Sequence, residues 1–404
     1  MADPSRAQAA LLAICAAPQT DHGERLRALD EADWGTLCDV ALRTRTSPLV
    51  VQAVELCGEE QAVPPAVFAR LNEQARFHAL GALQLGRDLV RVLGLLENHD
   101  LSPIVLKGVA LAFRDYPDPA LRPLRDLDLL LMPGEALQAQ TILLADPDFE
   151  RPPGVGQYGI DYGHQLPEIL IRSTGAVIEL HHRLNARDWP QEPLLVAAML
   201  ENAEPTQILG KSVRVPSAED NFFHLIEHAT LHHLFANGPL LLADLHYLTK
   251  AHPLDWRLVE EKAKALGLGP SLALIARIAM DNGAVWVPGS LLENSNLSAA
   301  HIATAQAAIF ADEDQTDRQK MLERLAKRSS GKTGFGAALS RALQPDPSQL
   351  SRLSGHPHDS GWRWLGYPKW LFEKARVFTR AKSSQSDQQA AEQRLALMEW
   401  LQRG

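Results

Sequence analysis

Two aspartates stand in an otherwise leucine-rich run, RPLRDLDLLL, residues 122 to 131. Carboxylates resist burial without a partner, so Asp126 and Asp128 demand an account. On a helix they would face water. In a strand, side chains two apart leave the same face, which sets both acids together while Leu127 and Leu129 enter the other side. Two carboxylates so close repel, and one keeps its proton unless a cation lies between them. A third acid, Glu179, interrupts the apolar run of GAVIELHHRL between Ile178 and Leu180. Three acids on adjacent strands make an oxygen cage suited to Mg²⁺. Such a cage stabilises the attacking and departing oxygens of an in-line phosphoryl transfer. Alternation alone leaves a solvated strand edge open for the aspartates. An ion pair with Arg122, Arg125 or Arg183 competes for Glu179.

The elements that must position these acids are legible around them. SPIVLKG reads as a short strand ending at Lys107 and Gly108, and VALAFRDYPD as the helix after it. Gly108 permits a close backbone approach, and the open N–H groups of a first helical turn favour phosphate oxygens. Lys107 adds a point charge there or turns outward. Arg122 and Arg125 serve either a triphosphate or the charge balance of the acids, since a guanidinium forks onto both kinds of anion. DLDLLLM, closed by Pro133-Gly134, has strand punctuation, and GEALQAQTILLAD has helical spacing.

Farther out, residues 1 to about 70 read as short amphipathic helices with a break at VPPAVF. A long helical run then stops at Asn98-His99-Asp100. Ser217 is the expected N-cap of helical spacing that continues through LHYLTKAH. Helices extend to about residue 345; QPDPSQLSRLSGHPHDSG reads as a loop, and AKSSQSDQQAAEQ (381–393) as a mobile stretch. At 404 residues the chain is long for one core. We divide it into 1–72, 73–215, 216–345 and 346–404. A net charge of −9 argues against general nucleic-acid binding. Cys15, Cys38 and Cys57 form no CxxC pair and suit buried thiols in a reducing compartment. The N-terminus, with Arg6 as its basic residue, reads as a first helix, and no run is long enough to span a membrane. A cytoplasmic location is expected.

Histidines invite a metal reading. His224, His228 and His232 recur at four-residue spacing, on one helix face, with Asp244 as a conceivable fourth zinc donor. There is no His-Glu-x-x-His and no nearby cysteine, so a polar packing face is preferred. For His181 and His182 a bond to a neighbouring backbone group is likewise preferred over ligation. SSGKTGFG (329–336) lacks the first glycine of a phosphate loop, because position 326 is alanine. GWRWLGYPKWLFEKARVFTR mixes tryptophans with basic residues and reads as a packed C-terminal helix.

LKGVALAFRDYPDPALRPLRDLDLLL followed by IELHHRL resembles the uncharacterised nucleotidyltransferase family of the DNA polymerase β-like superfamily. Lys107 and Gly108 fall on its glycine element and Arg122 on its Arg-Pro. Asp126 and Asp128 fall on its metal-binding pair, Glu179 on its third acid, and His181 just after. PSAEDNFFHLIEHATLHH and LLLADLHYL resemble its helical part, which implies that His228 and Asp244 border the nucleotide or acceptor cleft. Two departures stand out: Val109 replaces the superfamily's serine, and Glu179 stands where aspartate is common.

The resemblance implies an α+β fold: a small mixed sheet with helices packed on it, flanked by N-terminal and C-terminal helical regions. It implies a transferase using Mg²⁺, or Mn²⁺, with Asp126, Asp128 and Glu179 as ligands and Glu179 also as base. Lys107, Gly108, Arg122 and Arg125 would hold a nucleoside triphosphate, ATP foremost. A nucleoside monophosphate would pass to a hydroxyl-type acceptor and pyrophosphate would leave. Two alternatives remain: a protein- or peptide-modifying (adenylylating) enzyme, and a non-catalytic nucleotide-binding or antitoxin-like partner.

Overall fold

The computed structural model describes residues 5–152, 156, 158–185, 189–292, 296–329, 345, 347–382 and 385–402. Four helices open the chain: α1 (Arg6–Ala16), α2 (Gly23–Arg27), α3 (Glu31–Thr44) and α4 (Ser47–Cys57). Capping boxes at Ser5 and Asp30 start the first and third. They satisfy N–H groups that a helix start leaves open. After the proline break, α5 (Pro65–Glu97) starts with proline in its first turn, where the missing N–H costs nothing.

The sheet region follows: β1 (Ile104–Val105), α6 (Lys107–Arg114), β2 (Asp126–Leu130), α7 (Pro133–Ala145), β3 (Phe149–Glu150), β4 (Ile169–Ile171), β5 (Val177–His181), α8 (Glu192–Glu201), β6 (Glu204–Ile208) and β7 (Lys211–Val215). These strands form one sheet in the order β3-β4-β5-β2-β1-β7-β6. β2 runs parallel to β5 and β1 to β7, and the other pairings are antiparallel. The fold is therefore the expected mixed α+β arrangement.

Period-2 alternation decides what each face of the sheet carries. Leu127, Leu129, Ile178 and Leu180 are fully buried in one core with the C-terminal half of α5 and with α7. Each such side chain contributes roughly 1.5–3 kcal/mol of burial free energy. Leu130 and Ile104 enter a second, larger core shared with the N-terminal helices and the later helical region. Asp126, Asp128, Glu179 and His181 share the parity of Leu130 and its strand neighbour, so they point toward that helical side.

Helix α9 (Ala218–Glu227) starts at Ser217, whose side chain accepts the Asp220 N–H. The helical spacing expected to run on unbroken does not. A π-helical turn spans His228–His232. Leu234 and Phe235 then adopt left-handed φ values of 45° and 65°. They break the element after His233, and Gly238, at φ 88°, leads into Pro239, which stands directly before the next helix. The chain resumes as α10 (Leu240–Ala251), α11 (Trp256–Ala265), α12 (Gly269–Asp281), α13 (Ala299–Ile309), α14 (Glu313–Ser329), α15 (Pro347–Ser354), α16 (Tyr367–Lys382) and α17 (Gln385–Leu401).

Two C-terminal expectations need correction. The proline- and serine-rich stretch contains α15, which starts on Pro347 as N-terminal prolines allow. The stretch expected to be mobile is helical from Gln385 onward, packed on α13 and α14. Buried Ala391, Leu397 and Leu401 hold it, and Arg394 donates to Glu323 at 2.6 Å. An ion pair thus supplements a segment poor in apolar residues. In the C-terminal aromatic segment Trp370 is buried, whereas Trp362 and Phe372 are exposed. The SSGKTGFG stretch, from residue 330, lies outside the described residues. Cys15 and Cys38 are free and buried, and Cys57 is half-buried. No helix among the described residues is long and apolar enough to cross a membrane.

Candidate active site

The parallel pairing of β2 and β5 sets Asp126 beside Val177, Asp128 beside Glu179 and Leu130 beside His181. Ligand atoms of Asp128, Glu179 and His181 lie within 4.8 Å of one another. His181 Nε2 sits 2.9 Å from Asp128 Oδ1 and 3.3 Å from Glu179 Oε2. Two of the acids singled out in sequence, Asp128 and Glu179, therefore meet at one place with His181, and Asp126 stands one alternation earlier on the same face of β2. Two of the three arginines considered as ion-pair partners for Glu179 are committed elsewhere: Arg183 pairs with Glu192 and Arg122 with Asp244.

Lys107 stands at the strand-to-helix turn with φ 47°, a left-handed conformation uncommon outside glycine. Its Nζ reaches inward, 2.8 Å from Asp128 Oδ1. The neighbouring Leu106 N–H donates to the Asp128 carbonyl at 2.9 Å, which ties the turn to β2. No side chain caps the first turn of α6. Gly108 is required by a close approach: a Cβ there would lie 2.7 Å from Arg122 Nη1 and 3.1 Å from Leu124 Cδ2. Val109 is buried.

Arg122 cannot swing away from that contact. Its Nε and Nη2 donate to Asp244 at 3.1 and 2.9 Å, and Tyr116 Oη donates to the same carboxylate at 2.6 Å. The Arg122 pKa is raised: burial opposes the charged form, but Asp244 more than offsets it. Asp244 is therefore a structural anchor for Arg122, not a donor to the histidines. Arg125 is exposed beside Asp126 in sequence, and among the described residues neither it nor Arg45 forms an ion pair within 4.0 Å. Burial and the charges of Arg125 and Arg122 push the Arg45 pKa down to about 10, against the pull of Asp126. Arg45 escaped sequence reasoning because it lies some eighty residues upstream, at the left-handed end of α3.

The electrostatics follow from crowding. Burial, then Asp128 and Glu179, push the Asp126 pKa up to about 6, with Lys107 and Arg125 opposing. Asp128 is held below the usual carboxylate range: burial works against its charge, but Lys107 and His181 overcome it. Burial and Lys107 oppose a charged His181, yet hydrogen bonds to Asp128 and Glu179 raise its pKa. Hard carboxylate oxygens in mutual repulsion are the donor set that a divalent cation such as Mg²⁺ fits. Asp126, Asp128 and Glu179 are the residues that could hold it.

Beyond the acids lies a layer of imidazoles. The His164 ring lies 5.6 Å from that of His181 and 5.0 Å from that of His232. His228, His232 and His233 cluster next, and both ring nitrogens of buried His224 lack hydrogen-bond partners among the described residues. Burial, aided by Lys107 and neighbouring imidazoles, lowers the pKa of His224 to about 3 and of His228 well below the usual value. Sequence reasoning missed His164, which sits in an aperiodic loop, and His233, which strict helical spacing puts on another face. It also missed Glu227, whose carboxyl burial pushes up to about 8. The Glu227 carboxylate accepts from the Asn185 amide.

The core is an α+β fold in which two strand carboxylates, Asp128 and Glu179, converge beside a glycine-bearing strand-to-helix turn. The model of the family described as uncharacterised nucleotidyltransferase matches residues 30–282, and the chain belongs to that family. The match contains every acid, cation and histidine of the site. No curated protein and no solved structure matches the chain.

Proposed function

We propose that this chain is a Mg²⁺-dependent enzyme that moves a nucleoside monophosphate from a nucleoside triphosphate, ATP foremost, to an acceptor hydroxyl. The observation that carries the reading is the register of β2 and β5, which sets Asp128 and Glu179 side by side with Asp126 in electrostatic contact. When bound, Mg²⁺ supplies positive charge to the oxygens of the attacked phosphate and of the departing pyrophosphate. The acceptor oxygen bonds to the α-phosphorus. The bond from that phosphorus to the oxygen bridging the β-phosphate breaks, and pyrophosphate leaves with the electron pair. Glu179, whose side chain is more exposed than that of Asp128, takes the hydroxyl proton. Lys107 exchanges Asp128 for a phosphate oxygen, a move its flexible stem permits. Arg45 and Arg125 add cationic charge for the triphosphate, while Arg122, bound by Asp244, positions the Gly108 turn.

Incubating the purified chain with labelled triphosphates, Mg²⁺ and pools of small-molecule and peptide acceptors tests this. Label transfer with pyrophosphate release is expected, and the double variant Asp126→Asn with Asp128→Asn should abolish it. Transfer that survives in that variant would remove the acids from the mechanism. A second reading has one specific observation in its favour: the Lys107 ammonium sits on Asp128 at 2.8 Å, on an oxygen an ion would need. A non-catalytic nucleotide binder would keep that bridge and show saturable ATP binding with no pyrophosphate released. An acceptor that proves to be a protein would instead appear as a discrete intact-mass increase on the partner.

A further inference from the structure

We propose that His228, His232 and His233 form a second metal site, for a first-row transition ion of the Zn²⁺ class, separate from the carboxylate cluster. A regular helix has roughly 3.6 residues per turn, so it would carry His233 about 140° around the axis from His228. The π-helical turn at His228–His232 removes that offset. It closes with the His233 N–H donating to the His228 carbonyl at 3.1 Å. The result is a separation of 3.2 Å between His228 Nε2 and His233 Nε2. Two nitrogens each about 2.0–2.1 Å from one tetrahedral ion stand about this far apart. One ligand nitrogen from each of the three histidines lies within 4.8 Å of the others.

The backbone holds this arrangement under strain. Leu234 and Phe235, directly after His233, both occupy the left-handed region, at φ 45° and 65°. For bulky residues this conformation is unfavourable and persists where surrounding structure demands it. Helical turns of the π type recur at functional sites for the same reason. The His232 Nδ1 atom is buried and lacks a hydrogen-bond partner among the described residues. Imidazole nitrogens suit Zn²⁺, Ni²⁺, Co²⁺ or Cu²⁺ and bind Mg²⁺ poorly, whereas the oxygen donors of β2 and β5 also suit Mg²⁺ and Mn²⁺. His232 and His233 stack nearly parallel, 6° apart in plane, so loading requires one of these rings to turn toward the shared ion. Three protein ligands leave a fourth position for water or an acceptor atom. The inference does not depend on transferase activity.

Untagged chain, stripped with chelator and titrated with Co²⁺, gives the test. The expected result is one equivalent bound per chain, with the intense visible absorption of four-coordinate cobalt displaceable by Zn²⁺. His228→Ala and His233→Gln should each weaken binding more than tenfold with the circular dichroism unchanged. Asp128→Asn combined with Glu179→Gln should leave it intact. On the unsubstituted chain, X-ray absorption of the Zn²⁺ form should show scattering from several imidazoles, so the test stands even where a variant misfolds. No cobalt absorption, unchanged binding in both histidine variants, or a zinc shell with at most one imidazole would overturn the proposal.

Discussion

Asp128 and Glu179 occupy the same step of a parallel strand pair, one on β2 and one on β5. A slip of one residue would send either acid into the apolar face occupied by Leu127, Leu129, Ile178 and Leu180. Those three leucines and one isoleucine therefore fix the register that holds the acids together. The two carboxylates differ in what surrounds them. Asp128 is nearly buried and gripped by Lys107 and His181, while Glu179 pairs with the His181 ring at 3.3 Å and keeps more exposure.

That difference predicts unequal effects of neutralising them. Asp128→Asn leaves the Lys107 ammonium without its buried counter-charge, and breaking such a pair costs about 3–5 kcal/mol. Glu179→Gln leaves Lys107 paired and should cost less than about 1 kcal/mol. Both variants should lose transfer activity by more than about a hundredfold, the least expected for loss of a direct ligand. Urea denaturation and pyrophosphate release, measured side by side, check the pattern. Equal destabilisation by both would show that Glu179 is part of the structural bridge.

Gly108→Ala sets two physical effects against each other. In a solvated helix the change stabilises by about 0.8–1 kcal/mol. Here the new Cβ would meet Arg122 Nη1 at 2.7 Å, and Asp244 holds that guanidinium in place. Overpacking of this kind costs typically about 1–3 kcal/mol, so net destabilisation is expected. Thermal unfolding of Gly108→Ala decides the sign. A raised midpoint would mean that the Arg122 fork yields easily.

How much of this was legible in sequence depends on range. The acids were visible because alternation is a local, period-2 signal, and DLDLL displays it within five residues. The Ser217 cap was equally local. Partner choice was not: Arg122 finds Asp244 across more than a hundred residues, and nothing near Arg122 in sequence foretells that a carboxylate of α10 takes its fork. The strands β3 and β4 are too short to show alternation, and EPTQI of β6 exposes most of its side chains. The π turn was hidden for another reason. His224, His228 and His232 fit the regular helical period, and the extra residue that brings in His233 is set by strain at Leu234 and Phe235.

The Arg122–Asp244 pair gives a third expectation. It joins the loop before β2 to α10, with both side chains largely buried. Asp244→Asn strands a buried guanidinium and should cost about 3–5 kcal/mol. Replacing both partners, Arg122→Met with Asp244→Leu, removes the stranded charge and should recover part of that loss. Tyr116 limits the recovery, because its hydroxyl also donates to Asp244. Denaturant midpoints of the single and double variants measure the coupling. A single variant costing under about 1 kcal/mol would mean that water reaches the pair.

Buried imidazoles make the fold sensitive to mild acid. Burial, with the charge of Lys250 adding to it, holds His246 neutral and lowers its pKa to about 4. Neither ring nitrogen has a hydrogen-bond partner among the described residues. In the unfolded chain the ring titrates near about 6.5, so between these values the unfolded state binds more protons. Stability from this group is therefore complete above about pH 6.5 and falls as pH drops toward 4. His224, lowered to about 3, and His232, lowered to about 4, act in the same direction. His246 lies on α10, outside the imidazole cluster, and can be removed without touching it. His246→Leu should flatten the acid limb by at most about 1.4 kcal/mol per pH unit, the share of one proton. Urea unfolding at about pH 7.5 and about pH 5 gives the comparison. If the wild-type chain and the variant lose equal free energy between those conditions, His246 already carries its proton in the folded state.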